Sequence, residues 1–477
     1  MFDEQFQQLI DAGRPTGEVV AVQEFIITVK GLAPVGANAL ILFENGAHGL
    51  VREVIGDEVI VLSLDNKPIR GGMVAVVHND DLVTGVGPAL IGRVVSALGE
   101  PLDNGGAPAI SETWPVFSDA PGLIERSTLD EQLETGVTMV DTLFPVVLGQ
   151  RIAVLGDSKT GKTTLLSQLA KNQFGKDRVV VYVLVAKRPN EIDEVVKDLQ
   201  DNGAMQHSIV VATSVFDSLV ESYLAPYIGC AIAEHLWHNG TDTVVLYDDF
   251  TNHAQIHREI SLLAGANPGR ESYPGDTFYQ HSSLLERAGK LSTNNKTLTA
   301  IPVVLTPSND MTAYLPTNII SITDGQIVFD TEVMREGTRP AVNTGLSVSR
   351  VGGRAQTEHQ KYVSSKIFQA LSEYQDALEF SHFASEMALD AKQHLQLGER
   401  IMKALGQTEK ELYPLGSQQL LLDVALNTDF EQNLNMPQLK QWLREQNLDL
   451  HLPQTDQDAY QQLLQETIQS NVIEVKK

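Results

Sequence analysis

Up to about residue 85 the chain runs in short stretches, GEVVAVQEFIITVKG, ANALILFENGAHGLVREVIGDEVIVLSL and GGMVAVVHN, broken by glycine turns such as ENGAHG and IGDE. Short strand-like runs at this spacing predict a small β-barrel. After the Pro/Gly-rich connection GEPLDNGGAPAISETWPVFSDAPG the grammar changes. RIAVLG, RVVVYVLVAK at 178–187, HSIVVATS at 207–214 and TDTVVLYDDF at 241–250 are near-continuous apolar runs, separated by helix-like segments of which TTLLSQLAKNQFG is the first. That is α/β grammar, and strands apolar on both faces predict a parallel sheet covered on both sides. From about 361, Leu, Gln, Glu and Asp recur at helical spacing, as in KIFQALSEYQDALEFSHFASEMALDAKQHLQLGERIMKAL. This predicts a helical domain, and the glutamine-rich GSQQLLLD and DAYQQLLQETIQS keep their leucines in period, as an amphipathic bundle would. The expected organisation is therefore a barrel over 1–85, an α/β domain over 86–360 and a helical domain over 361–477, with no internal repeat.

A chain of 477 residues exceeds the size at which one hydrophobic core stops growing, which agrees with several domains. The formal charge of −26 changes the picture more. It repels a phosphate backbone, and with no basic stripe along the early chain and few aromatic residues in the barrel segment, nucleic acid is not an expected partner. The start, MFDEQFQQLIDAG, lacks the basic and apolar regions of a signal peptide, and no run of eighteen apolar residues follows, so a soluble chain is expected. The lone cysteine, Cys230 in LAPYIGCAIAEHLW, cannot form an intrachain disulfide and reads as a buried small hydrophobe.

The candidate chemistry begins at GDSKTGKTT, residues 156–164, where Gly156, Gly161, Lys162 and Thr163 fit the phosphate-loop pattern G-x-x-x-x-G-K-[ST]. A strand before it and a helix from Lys162 or Thr163 give the loop its meaning: backbone N–H groups from Gly156, Asp157, Ser158, Lys159, Thr160, Gly161 and Thr164 face phosphates, and Lys162 adds a point charge. The Thr163 hydroxyl is a candidate Mg²⁺ ligand, and Asp248, at the tip of TVVLYDD, is the candidate carboxylate for the same ion. Two histidine pairs, His235 with His238 and His253 with His257, invite a reading as metal ligands. The second has the i, i+4 spacing of a zinc helix, but Ala254 stands where a metallopeptidase carries its glutamate, and both pairs read as ordinary histidines.

Over nearly its whole length the chain resembles the α subunits of F-type ATP synthases. The resemblance rests on GRVVSALGEPLD, GDSKTGKTT, YLAPYIGCAIAEHLWHNGTDTVVLYDD, PGRESYPGDTFYQHSSLLERAGKL, AYLPTNIISITDGQI and TRPAVNTGLSVSRVGGRAQ. It implies a β-barrel crown, a RecA-like nucleotide-binding domain and a C-terminal helical domain. It also implies a head in which three such subunits alternate with three β subunits around a γ central stalk, docked to a δ-containing peripheral stalk. The complex would be peripheral to an energy-coupling membrane, on the cytoplasmic side of a bacterial cell, with ATP or ADP and Mg²⁺ as cofactors. In that family β subunits turn over ATP, whereas α subunits hold Mg-nucleotide without hydrolysing it.

The resemblance assigns further residues. Where β subunits carry a water-polarising glutamate and α subunits usually a glutamine, this chain has Lys187, in VLVAKRPNE. An ammonium beside polyphosphate stays protonated and cannot act as a base at neutral pH. The plainer possibility is that Lys187 points to solvent, and Glu191, four residues on, is the nearby carboxylate that would restore a catalytic reading. Arg350, in SVSRVGG, matches the arginine that α subunits extend toward the neighbouring β nucleotide. Arg339 and Pro340 match the adenine pocket, Met334 takes an aromatic position there, and Gln407 is the candidate for its glutamine. Ser158 and Lys159 replace the family's usual Arg-Gln pair, and the segment before the barrel is short for docking a peripheral stalk. The competing readings are a P-loop hexameric ATPase active in its own right and, in a third class, a hexameric RNA-translocating motor.

Overall fold

The computed structural model describes residues 4–65, 67–110, 112–381, 389–430, 432–446 and 448–473. They form two compact units, the first comprising 1–127, 175–304 and 317–322 and the second 128–174, 305–316 and 323–477.

The first unit opens with the helix Glu4–Asp11, whose Phe6 packs on Leu42 and Val76. Six strands follow, Thr16–Gln23, Ile26–Lys30, Leu40–Phe43, His48–Ile55, Glu58–Ser63 and Val74–Asn79, and close into a barrel in the order first, second, fifth, fourth, third, sixth. Ile27 and Val29, Ile41 and Phe43, Val59 and Val61, and Ala75 and Val77 alternate into its core, and closure leaves no sheet edge exposed.

The same unit contains a parallel sheet with Val94–Val95, Ser208–Ser214, Arg178–Lys187, Asp242–Asp248 and Thr297–Leu305 as successive neighbours. Val180 to Leu184 and Val244 to Asp248 are buried throughout, which is why these strands read as continuous apolar runs. The helix Leu219–His238 packs on the two central strands and buries Cys230, whose thiol is pushed up to about 12 by burial, so it is inert. His235 pairs with Glu112 at 2.8 Å, and His253 and His257 face separate partners. The His253 Nε2–H donates to the Tyr223 carbonyl at 3.1 Å, His281 lies 3.1 Å from its Nδ1, and His257 pairs with Asp276 at 2.9 Å.

Burial, with the neighbouring His257, holds the His253 pKa down at about 3, below the 6.5 of an unfolded chain. The unfolded state therefore takes the proton first, so this contribution to stability is intact above pH 6.5 and is lost as pH falls toward 3. Between pH 7 and pH 5 the loss should be about 2 kcal/mol. Urea midpoints at the two pH values check this, and His253→Gln should flatten the difference.

In the second unit, Ala153–Gly156 runs parallel to Gly325–Phe329, and Val348–Ser349 pairs antiparallel to the latter. The helices Glu358–Ser381, Leu389–Leu405, Leu415–Asn427, Met436–Arg444 and Gln457–Asn471 make up its C-terminal part. Buried Arg400, on the helix Leu389–Leu405, donates to the carbonyls of Ala425 and Thr428 at the end of Leu415–Asn427 and to those of Asp429 and Gln432 in the segment that follows. Residues 382–388, inside the helical run that the periodicity identified, lie outside the described residues.

Candidate functional site

The phosphate-loop residues leave the strand Ala153–Gly156 and enter the helix Lys162–Asn172. Two positions need glycine. A Cβ on Gly156 would lie 2.7 Å from the Phe329 Cβ, and Gly161, the residue before the helix, has φ +106°. Asp157 organises the turn. Its carbonyl accepts from Thr160 Oγ1 at 2.8 Å and from Lys162 Nζ at 2.6 Å, and its carboxylate accepts from the N–H of Ser158 at 2.6 Å and of Ser308 at 2.8 Å. Ser158, Lys159, Thr163 and Thr164 are exposed, whereas Thr160 and Lys162 are buried. A glycine-flanked turn ending in a helix N-terminus, with a buried lysine ammonium bonded to it, has the chemistry of an anion-binding loop.

Within the same unit Arg339, Pro340 and Gln407 come together: the Gln407 N–H donates to the Arg339 carbonyl at 2.8 Å, and the Arg339 guanidinium donates to the Met334 carbonyl at 2.8 Å. The Gln407 side group has a different task from the base contact expected of it. Its Oε1 accepts from the Thr138 N–H at 3.0 Å, and both hydrogens of its amide nitrogen are committed, to the carbonyls of Gly136 and Glu411. Gln407 thus pins the turn before the helix Thr138–Leu143, and has no amide hydrogen left for an adenine ring.

Arg350 follows the strand Val348–Ser349 and is exposed. Its N–H donates to the Asp324 carbonyl at 3.0 Å and its Nη1 to the Thr323 carbonyl at 3.2 Å. The Asp324 carboxylate is held in turn by Arg151, through Nε at 3.0 Å and Nη2 at 2.9 Å. The backbone of Arg350 is therefore fixed, and its guanidinium, on an exposed residue, rests on the Thr323 carbonyl.

The first unit places Lys187 and Asp248 at the ends of neighbouring parallel strands, where ligands of α/β sheets are bound. Lys187 does not point to solvent. Its ammonium donates to Asp248 Oδ1 at 2.6 Å and to Asp249 Oδ2 at 3.0 Å. The two carboxylates are only 4% and 5% exposed and the lysine 16%. Burial alone would lower the lysine pKa, but the adjoining Asp248 and Asp249 outweigh it and hold the ammonium charged well above its usual range. The backbone aims it. The strand is irregular between Leu184 and Lys187, Ala186 adopts φ +47°, and its N–H is held by Thr213 Oγ1 at 3.0 Å. Glu191 is exposed, and its carboxylate accepts the Arg188 N–H at 3.0 Å and caps the helix Pro189–Asp201.

Residues 136–349 match the model of the nucleotide-binding domain of the ATP synthase alpha/beta family, and residues 356–476 match the model of the C-terminal domain of the same alpha/beta subunits. The protein is 39% identical over 433 residues to the ATP synthase subunit alpha of Clostridium botulinum strain Eklund 17B / Type B, a match covering 90% of this sequence and 86% of the relative. It is likewise 39% identical over 415 residues to the subunit alpha of strain Hall, covering 86% and 82%.

The chain belongs to the ATP synthase alpha/beta family.

Within that family it is the alpha subunit that it matches, and the barrel, the central nucleotide-binding α/β domain and the C-terminal helices agree with alpha-subunit architecture. Among the described residues no helix is long and apolar enough to cross a membrane. Asp249 is the site residue that the sequence reading missed. It is the second member of the Asp-Asp pair, and it also caps the helix Phe250–Leu263 by accepting the Asn252 N–H at 2.7 Å. The signal for it in the sequence is a doubled carboxylate at one strand end with a lysine at the end of another.

Proposed function

We propose that this ATP synthase alpha-type chain holds nucleotide at a site of its own that does not turn it over, and supplies Arg350 in trans to the catalytic site of a neighbouring β subunit. It would work in a head of alternating α and β subunits around a γ stalk, with a peripheral stalk, coupling transmembrane ion flow to ATP synthesis or hydrolysis. Its membrane contact would be indirect, through those partners on the cytoplasmic side of the membrane.

The observation that carries the non-catalytic reading is the Lys187 ammonium held between Asp248 and Asp249. A general base must give up its proton near neutral pH, and a lysine whose charge is stabilised by two buried carboxylates does not. In this reading the loop from Gly156 to Thr164 binds the phosphates of ATP or ADP, with Lys162 countering their charge and Arg339 and Pro340 beside the base. The Thr163 hydroxyl is the residue that fits Mg²⁺, which supplies charge neutralisation to the phosphates when bound.

Lys162→Ala tests the binding half. Losing one charge-assisted contact, worth about 1.5 to 3 kcal/mol, should weaken ATP binding roughly 10- to 150-fold. Nucleotide carried through a desalting column should fall accordingly, and unchanged retention would place the nucleotide elsewhere.

A further inference from the structure

We propose that Lys187 is a resident counter-ion that closes the Asp248 and Asp249 pair to divalent cations. The inference touches the functional reading at one point, namely that Asp248 is the carboxylate the sequence marked for Mg²⁺. Two adjacent carboxylates buried at a strand end cannot both stay ionised without a cation between them. In a phosphate-binding protein a divalent ion with oxygen ligands commonly answers that need. Here the protein provides the cation itself, since Lys187 Nζ bridges Asp248 Oδ1 at 2.6 Å and Asp249 Oδ2 at 3.0 Å.

This contact is built into the fold. The lysine enters the pair from the irregular end of the strand Arg178–Lys187, where Ala186 is held at φ +47° and its N–H is fixed on Thr213. Such a conformation is costly for a residue with a Cβ and persists only where surrounding contacts enforce it. Asp249 is fixed from the other side by its bond to the Asn252 N–H, so the spacing of the two carboxylates is set before any ligand arrives. A hydrated Mg²⁺ or Mn²⁺ seated on the pair would have to displace an ammonium that already bridges it. The residues present therefore do not fit a divalent ion at Asp248, and the metal-binding duty falls to other groups.

The test is Mn²⁺ binding to the nucleotide-stripped full chain, followed by the electron paramagnetic resonance signal of free Mn²⁺. Wild type is expected to show only weak background binding. Lys187→Gln should gain one site at least about tenfold tighter than that background, and Lys187→Gln/Asp248→Asn should lose it again; a tenfold change is an easily resolved step. The melting temperature of Lys187→Gln should also rise with Mn²⁺ where that of wild type does not. Failure of Lys187→Gln to gain a site would overturn the proposal, as would a tight site in wild type that Asp248→Asn removes. If Lys187→Gln folds only when Mn²⁺ is present, the ion has replaced the lysine and the proposal stands. If it does not fold even then, Asp248→Asn/Asp249→Asn decides: an isotherm unchanged from wild type supports a pair closed to metal, and lost binding contradicts it. Because the protein is stripped of nucleotide, these isotherms read the carboxylate pair without any bound phosphate, so a failure of the nucleotide reading is scored separately.

Discussion

Assembled with β subunits, an Arg350→Ala variant is expected to give a head that turns over ATP about 10³ to 10⁵ times more slowly than the parent, a barrier increase of roughly 4 to 7 kcal/mol. The reason is electrostatic. A guanidinium placed in trans on the charge that spreads over the transferring phosphoryl group acts in the transition state, so its loss should lower the turnover rate and leave ATP affinity nearly unchanged. To reach a neighbouring nucleotide the guanidinium would have to leave the Thr323 carbonyl, a single bond on an exposed residue. Arg350 is exposed, yet its backbone is pinned to Asp324, which Arg151 holds by two bonds. Lysine, a point charge without the planar fork, should rescue little. An exposed residue adds little to folding, so the variant's stability should stay within about 0.5 kcal/mol of the parent. Steady-state turnover of the two assemblies, beside urea unfolding of the two isolated subunits, checks both halves. A rate lowered less than tenfold would leave Arg350 a surface charge.

The second large effect is on folding. Arg287 and Glu234 are buried together, 2% and 4% exposed, with Arg287 Nε donating to Glu234 Oε1 at 2.7 Å and a second bond from Nη2 to Oε2. The pair is further tied by the Arg287 Nη1 bond to the Val116 carbonyl at 2.8 Å and by the Trp114 Nε1 bond to Glu234 at 3.2 Å. Removing one partner strands the other charge in the interior. Arg287→Met should therefore cost about 3 to 5 kcal/mol, whereas Arg287→Met/Glu234→Leu should recover most of the loss because neither charge remains to be solvated. The urea midpoints of wild type and the two variants measure this, and a single variant within about 1 kcal/mol of wild type would contradict it.

What could be read from the sequence follows from the range of the interactions involved. The barrel and the parallel strands are written in local periodicity, so RVVVYVLVAK coincides with the observed strand Arg178–Lys187, and TVVLYD with the end of Asp242–Asp248. The phosphate loop was legible because Gly156, Gly161 and Lys162 fall in one short run, although the contacts that require Gly156 and hold Asp157 come from distant Phe329 and Ser308. Lys187 was harder. Its direction depends on a strand irregularity at Ala186 and on the register between two strands some sixty residues apart, neither of which periodicity encodes. Glu191 and Gln407 differ in the same way: the Glu191 cap is a local bond to Arg188, whereas the Gln407 amide is committed to Gly136 and Thr138 in a distant part of the sequence, which periodicity does not encode.

The central claim, that this protein keeps nucleotide without turning it over, is tested most directly by single-turnover release of γ-phosphate from radiolabelled ATP bound to the purified subunit alone with Mg²⁺. The expected result is label that stays as ATP for hours, at a level that Lys162→Ala lowers in line with its weaker binding. Release of phosphate at a catalytic rate, lost in Lys162→Ala, would mean that the Lys187 ammonium does not silence the site and that the protein is an ATPase in its own right.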